Sequence, residues 1–180
     1  GGAGGAGFWI GGRPGSLERI SAGGGVMPMS PRVRDALSGL RIRSVAEDRA
    51  GGLWLAAART LLHVDAGGTV RRWTPQAGRD ATQQGVIDHL LASPDGRSLW
   101  VAATGSGVQQ RDLATGRVLR DFPVDRHPGL GHGETEAMRF APDGTLWLAC
   151  DAGMLRFDER RASFVPVAGL VGPRAYGFDF

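Results

Sequence analysis

Two histidines and a glutamate in one glycine-rich loop are the residues whose spacing comes nearest to a catalytic or metal site. Four residues separate His127 from His132, and Glu134 follows two positions later. Imidazole and carboxylate groups bind divalent metals and can act as a general acid and base. A solvated loop with incidental histidines accounts for the same pattern, since so few ligands in one flexible loop rarely suffice. We predict no metal ion and no other cofactor, and keep His127, His132 and Glu134 as an alternative.

Three aspartates recur beside glycines, namely Asp48, Asp95 and Asp143. An aspartate carboxylate can accept hydrogen bonds from the backbone two residues further on, which favours turns. A calcium site is a poor interpretation, because one carboxylate in each turn falls far short of the six to eight oxygens that the ion takes. The three aspartates are therefore predicted to form turns.

Signatures of common enzyme sites are absent from the sequence. Neither G-x-S-x-G nor H-E-x-x-H occurs. The glycine-rich segment 1–7 runs into an aromatic strand pattern rather than a helix, so it does not resemble a phosphate-binding loop. We predict no catalytic residues, and the chain is expected not to be an enzyme by itself.

An internal repeat positions all of these residues. The segments 44–57, 93–103 and 141–150 share a turn built on Asp and Gly that leads into Leu-Trp-(Leu/Val)-Ala, and a shorter copy occupies 4–12. The tryptophans Trp9, Trp54, Trp100 and Trp147 are 45, 46 and 47 residues apart, by subtraction of their numbers. Repeats of about 40–50 residues are typical of propellers.

Each repeat predicts four short strands. Asp-Gly is a strong signal for a two-residue hairpin turn, and alternating apolar residues on both sides predict antiparallel strands. A second hairpin follows in each copy. The fold class is therefore all-β, and the chain is predicted to be a β-propeller in which the repeated tryptophans form the core between neighbouring blades.

The repeat boundaries predict a single domain, 1–180, made of about four four-stranded blades. Because the pattern begins and ends within a repeat, we expect the chain to be part of a larger propeller. The predicted blades cover residues 1–40, 41–84, 85–134 and 135–172, and another blade starts at 173–180.

Charge and composition exclude some classes of partner. The net charge is +3, and all 21 basic residues are arginines spread along the chain. Without a basic cluster, no nucleic-acid partner is expected. No apolar segment reaches the ~18 residues of a membrane-spanning helix.

Equivalent positions near the start of each blade's first strand are predicted to line a central channel. In this sequence they are Arg43, His89, Glu136 and Tyr176. Polar groups of mixed type suit a small polar ligand, and they suit channel water equally well. These four residues are the candidate ligand-binding residues.

Residues 44–65 resemble the two-component regulator propeller repeat, whose pattern is roughly I-x-S-I-x-E-D-x-x-G-x-L-W-[IV]-G-T-x-x-G-L-x-x-[FY]-D. The matching residues are Ser44, Val45, Glu47, Asp48, Leu53, Trp54, Leu62 and Asp65. The sequence departs from the pattern at Ala56-Ala57 and at Thr60-Leu61. The repeat at 93–122 departs further and is at least as similar to WD40-like repeats.

This resemblance implies a function. Such propellers are ligand- or partner-sensing modules of bacterial signalling proteins, and they lie in the periplasm ahead of a membrane span and a histidine kinase or diguanylate cyclase. The implied partners are a small polar ligand or a protein, the neighbouring signalling domains of the same polypeptide, and a second copy through the full-length protein. Two alternatives stay open: a lyase- or hydrolase-type propeller enzyme that uses the His127/His132/Glu134 loop, and a WD40-like protein-binding scaffold.

Overall fold

The computed structural model describes residues 7–11, 14–73 and 85–169, and these form antiparallel sheets with one short α-helix and one 3-10 helix, Pro128–Leu130. The predicted Tyr176 and the blade start at 173–180 lie outside the described residues. The strands in chain order are β1 Gly7–Gly11, β2 Leu17–Ser21, β3 Val26–Pro28, β4 Ile42–Glu47, β5 Leu53–Ala57, β6 Thr60–Val64, β7 Val70–Trp73, β8 Ile87–Ala92, β9 Ser98–Ala103, β10 Gly107–Asp112, β11 Val118–Pro123, β12 Thr135–Phe140, β13 Leu146–Cys150, β14 Gly153–Asp158 and β15 Ser163–Pro166.

Consecutive strands pair with one another, so each sheet is a simple meander. Sheet 1 contains β1–β3, sheet 2 contains β4–β7, sheet 3 contains β8–β11 and sheet 4 contains β12–β15. The all-β fold class predicted from the repeat is thus confirmed. Three of the sheets have the four strands of a propeller blade, and sheet 1 has three strands among the described residues.

The turn that joins the first two strands of a sheet differs from the predicted two-residue turn. In sheet 4 the Ala141 N–H donates to Thr145 O at 2.9 Å, and the Gly144 N–H donates to Ala141 O at 2.9 Å. Only the glycine has a positive φ, 83° at Gly144, whereas a type I′ turn requires two such residues. The prediction of a two-residue turn was therefore wrong, because Asp143 keeps an ordinary φ and the glycine ends a longer loop.

Two of the repeated tryptophans are the central residues of the packing between sheets. Trp54 is fully buried against Leu90, Leu99 and Val101 of sheet 3. Trp100, one sheet further on, is 2% exposed and packs among residues of sheet 4. Removing an aromatic side chain of this size from water contributes on the order of 2–3 kcal/mol. The predicted role of the tryptophans is confirmed for these two.

The other two repeated tryptophans are less buried. Trp9 is partly buried and packs against the core between sheets 1 and 2, where its indole N–H donates to Glu47. Trp147 is half-buried on β13. The core role is therefore complete for Trp54 and Trp100, each of which lies between two four-stranded sheets.

One helix, α1 (Pro31–Leu37), covers the outer part of the packing between sheets 1 and 2. Ser30 caps its N-terminus by accepting the Val33 N–H, and Pro31 takes the first helical position, where a missing N–H costs nothing. Val33 and Leu37 are buried. None of the helices within residues 7–11, 14–73 and 85–169 has the length and apolar composition that a membrane-spanning helix requires.

Candidate functional site

The first strands of sheets 2, 3 and 4 lie side by side, which places β4, β8 and β12 at the inner edge of the assembly. Strand β8 contacts both β4 and β12. The Leu90 N–H donates to the Ser44 hydroxyl at 2.9 Å, linking β8 to β4. His89 Nε2 lies 2.9 Å from Thr135 O and links β8 to β12. Since a carbonyl oxygen only accepts hydrogen bonds, the His89 proton lies on Nε2.

A β-bulge interrupts each of these three strands near its beginning. The register skips one residue between Ile42 and Ser44, and the same shift occurs in β8 and β12. The skipped residues are Arg43, Asp88 and Glu136. A bulge leaves one residue unpaired and re-aims its side chain, so the inner edge presents a charged residue from each sheet.

Two of these charges are paired across the sheet boundary. Arg43 Nη2 lies 2.7 Å from Asp88 Oδ1, and Arg43 Nε donates to the same oxygen at 2.8 Å. The Thr104 hydroxyl donates to the other Asp88 oxygen. The Arg43 side chain is 47% exposed and that of Asp88 is 16% exposed. A ligand at this edge would therefore meet an accessible guanidinium group that is held in place by a carboxylate.

Of the predicted channel residues, two occupy bulge positions at the inner edge and one does not. Arg43 and Glu136 occupy bulge positions at the inner edge. His89 lies one residue beyond the bulge and points its imidazole at the backbone of the next sheet. Asp88 occupies the equivalent place and was missed. Shifting the alignment of the third repeat by one residue would have identified Asp88, because its charged side chain then aligns with those of Arg43 and Glu136. Tyr176 is outside the described residues.

The loop with two histidines does not assemble a metal site. His127 packs edge-on against Phe122, with ring centroids 5.3 Å apart. The backbone N–H of His132 donates to Asp151 Oδ2 at 2.8 Å, and the His132 side chain is exposed. Among the residues described, no three His, Cys, Asp or Glu side chains converge on a point that could hold an ion. The metal alternative for His127, His132 and Glu134 therefore has no geometric support.

The recurring aspartates form turns, as predicted. Asp95 accepts the Ser93 hydroxyl and the Arg97 N–H, and these two bonds lower the pKa of its carboxyl group. The Thr145 N–H lowers the pKa of Asp143 in the same way.

Asp48 has an additional partner within its own sheet. Its Oδ2 lies 2.7 Å from His63 Nε2, and its Oδ1 accepts the N–H groups of Ala50 and Gly52. Burial by itself raises the pKa of Asp48, but the hydrogen bonds from His63, Gly52 and Ala50 together outweigh it, so the pKa is lowered. A histidine thus completes this turn, where the other two turns use only backbone and hydroxyl groups.

Successive four-stranded meanders with adjacent first strands define a β-propeller. No protein-family model matches the chain, and no curated protein matches it in sequence. The solved structures similar to it include the extracellular domain of the putative hybrid two-component system BT3049 from B. thetaiotaomicron, with a TM-score of 0.65 and 15% identity over 88% of this chain and 21% of that one.

Two further similar structures extend the comparison. The extracellular domain of the putative one-component system BT4673 from B. thetaiotaomicron has a TM-score of 0.67 and 17% identity over 92% of this chain and 24% of that one. A streptogramin B lyase has a TM-score of 0.62 and 14% identity over 84% of this chain and 47% of that one. The chain spans between about a fifth and a half of these structures. At such identities the likeness establishes the propeller fold, in agreement with the predicted resemblance.

Proposed function

We propose that this propeller is a ligand- or partner-sensing module of a bacterial signalling protein and is not itself an enzyme. The observation that supports this most directly is the inner edge, where three sheets each contribute one bulged, charged residue: Arg43, Asp88 and Glu136. A site composed of one residue from each sheet responds to the spacing of the sheets, which is what a sensor needs to convert binding into a change of shape.

The chemistry of the inner edge favours a small polar ligand. Arg43 offers planar N–H donors suited to carboxylates, phosphates and sugar hydroxyls, and Asp88 fixes its position from the neighbouring sheet. A ligand that accepts from Arg43 would compete with Asp88 and alter the contact between sheets 2 and 3. His89 Nε2 is engaged by Thr135 O, so this ring nitrogen does not face a ligand at the inner edge.

The proposed location is extracytoplasmic, in the periplasmic part of a membrane-anchored protein with a histidine kinase or diguanylate cyclase as its output. The support is the similarity to the extracellular domains of two regulatory systems. The lyase alternative is supported by a similar fold. It would depend on the His127 loop, in which His127 packs against Phe122 and the described residues form no metal-binding group. Homodimerisation through the full-length protein is part of the same proposal.

A thermal-shift screen with sugars, amino acids and small dicarboxylates tests the ligand site. A ligand present at 100 times its Kd stabilises the fold by about 2.7 kcal/mol, which is a clear rise in Tm. That rise should disappear in Arg43→Gln and Asp88→Asn. Arg41→Gln, which removes an exposed arginine two residues away, serves as the matched control. A ligand that raises the Tm equally in the unchanged protein and in all three variants would contradict an inner-edge site.

The signalling role has a separate test in the coding sequence around this chain. A reading frame that continues into a membrane span and a kinase or cyclase domain would support the proposal. A frame that instead joins the propeller to a secreted enzyme without an output domain would refute it.

A further inference from the structure

The face of sheet 1 that points away from sheet 2 is apolar and exposed. Phe8 and Ile10 alternate with Trp9 on β1, and Trp9 packs toward sheet 2, so the other two lie on the opposite face. Phe8 is 58% exposed and Ile10 is 47% exposed. The strand register aligns Phe8 with Ile20 and Ile20 with Val26, and Val26 is 55% exposed. These side chains form one contiguous patch, which we call the apolar face of sheet 1.

The same repeat positions are buried in the other three sheets. Phe8 and Ile10 are the residues immediately before and after the repeated tryptophan. Their counterparts are at most 5% exposed and pack toward the tryptophan of the preceding sheet, namely Leu53 and Leu55, Leu99 and Val101, and Leu146 and Leu148. Within residues 7–11, 14–73 and 85–169, no hydrophobic cluster includes Phe8, Ile10 or Val26. The apolar face of sheet 1 therefore has the composition of a surface that receives a tryptophan from another sheet of this repeat.

Sheet 1 also differs from the other sheets in the strands that it contains. Its tryptophan lies on β1, whereas the tryptophans of the other sheets lie on their second strands, β5, β9 and β13. The described strands of sheet 1 thus correspond to the second, third and fourth strands of a blade. The sequence predicts the first strand of another blade at 173–180, outside the described residues. A second copy would therefore bring a predicted first strand together with a repeated tryptophan.

Sheet 4 has a tryptophan and charges that fit the apolar face of sheet 1. Trp147 occupies the repeat position of the two buried tryptophans and is half-buried. Its cross-strand partners are Arg139 and Arg156, and both are exposed. On sheet 1 the cross-strand partner of Ile10 is the exposed Glu18. Since Arg156 and Glu18 both lie on the third strand of their repeat, a tryptophan inserted beside Ile10 brings opposite charges together.

We propose that the apolar face of sheet 1 binds sheet 4 of a second copy of this chain. The partner's Trp147 inserts between Phe8 and Ile10, and the partner's Arg156 pairs with Glu18. The contact is heterologous, because two different faces meet. Two copies of four sheets each make eight sheets, which is within the range of about 4–8 blades in closed propellers.

This inference identifies a surface for the homodimer of the proposed function, but it rests on the repeat alone. Its failure is distinguishable from failure of the proposed function, because a monomeric protein would overturn the inference and leave the ligand test at Arg43 unaffected.

Sedimentation velocity of the complete 180-residue chain tests the proposal. The expected particle at micromolar concentration has twice the 19.0 kDa mass of one chain. Ile10→Arg places a cation where the tryptophan inserts and should convert the dimer into a monomer. Leu119→Arg changes a residue of similar exposure, 43%, on sheet 3 and should leave the dimer intact. Thermal denaturation checks that both variants fold.

A mixing experiment tests whether the two faces meet head to tail. Glu18→Arg and Arg156→Glu each bring like charges together in a homodimer, and each should raise the dimer Kd roughly a hundredfold. In an equal mixture of the two variants, both contacts of a mixed dimer regain one positive and one negative side chain, so the dimer should return.

Several results would overturn the proposal. They are a monomer at every micromolar concentration, an assembly larger than a dimer, a dimer that Ile10→Arg leaves unchanged, and a mixture of the two charge variants that stays monomeric. A contact through two copies of sheet 1 would also overturn it, and is recognised by a dimer that Arg156→Glu does not weaken.

Discussion

The interface between sheets 2 and 3 combines one buried tryptophan with aliphatic side chains, whereas the interface between sheets 3 and 4 is centred on a cluster of aromatic rings. In the first, Trp54 donates its indole N–H to Leu113 O of sheet 3, and its ring lies 4.6 Å from His63 and 4.9 Å from Trp73 of its own sheet. In the second, Phe122, Phe157 and Phe164 surround Trp100.

The difference shows that one repeat position accepts two kinds of packing. Aromatic pairs gain about 0.5–1.5 kcal/mol beyond their buried area, and they need no partner for a polar atom. Near Trp54, buried polar groups are hydrogen-bonded, and the Arg111 guanidinium donates to Gln109 and to Gly116 O. Sheet 2 also contains an ionisable pair, Asp48 and His63, so its stability should depend on pH.

The largest effect is expected from truncating an aromatic ring in the second interface. Phe157→Ala should lower the free energy of unfolding by about 3–5 kcal/mol, because it leaves a cavity beside Trp100 and Phe122. Urea unfolding measures this loss. Leu119→Ala, at an exposed position, is the control and should cost less than about 1 kcal/mol. Equal losses of unfolding free energy in the two variants would mean that the ring cluster stabilises the fold no more than an exposed leucine does.

A glycine substitution tests the tightness of the first interface. Gly116 has φ 73°, and a Cβ there would lie 2.7 Å from Trp54 Cη2 and 2.9 Å from Trp73 Cε2. Gly116→Ala should cost about 2–4 kcal/mol, the sum of left-handed strain and overpacking. Gly144→Ala has the same φ problem without a neighbour within 4 Å and should cost only about 1–2 kcal/mol. Thermal denaturation of the two variants compares them directly.

Ionisation of Asp48, which contacts His63 within sheet 2, is expected to distinguish the first turn of sheet 2 from that of sheet 4 at low pH. Because the pKa of Asp48 is lowered on folding, its contribution to stability is complete above its unfolded value of about 3.9. The contribution is lost as the pH falls through the lower, folded value. Asp48→Asn should cost about 1–2 kcal/mol at neutral pH and less at pH 2.5, as followed by urea midpoints.

The matched control for Asp48 is Asp143→Asn, at the corresponding turn of sheet 4, which has no histidine partner. Its cost should be smaller than that of Asp48→Asn at every pH. An equal cost would show that the His63 contact adds nothing to the turn.

The smallest effect is expected at the surface between sheets 3 and 4. Glu159→Gln breaks the ion pair with Arg120, whose side chain is 38% exposed. Such exposed pairs contribute about 0–1 kcal/mol, so the Tm should barely change. A large loss would indicate that this ion pair, rather than the aromatic rings, closes the outer end of the interface.

The regular parts of the repeat could be predicted from the sequence because their local signals agree. The strands Leu53–Ala57 and Leu146–Cys150 begin at the repeated Leu-Trp, as the repeat predicts, since each follows a glycine turn and consists of apolar, strand-forming residues. β3 lies in a stretch of glycines and prolines and is exposed along its whole length, so no alternation marks it. Its register is set by pairing with β2.

The site was predicted less completely, for a reason of register. A bulge adds one residue without changing the hydrophobic pattern, so the alignment of repeats placed His89 where Asp88 belongs. The pairing of Asp88 with Arg43 also joins residues 45 apart in sequence, which no local pattern reveals. The open space between sheets 3 and 4 depends on a further non-local fact. Pro94 stands there at the position of Arg49, whose side chain lies over Gly96 between sheets 2 and 3.

The difference between Arg49 and Pro94 at this turn position requires little change in the gene. Arginine codons of the form CGN and proline codons of the form CCN differ by one base, so a single point mutation at this turn position can open or fill the space between two blades. Because Pro94 and Arg49 occupy equivalent places on the surface, the exchange leaves the strands and their tryptophans untouched. Duplicated repeats can therefore open or close a groove between neighbouring blades one at a time while the scaffold stays the same.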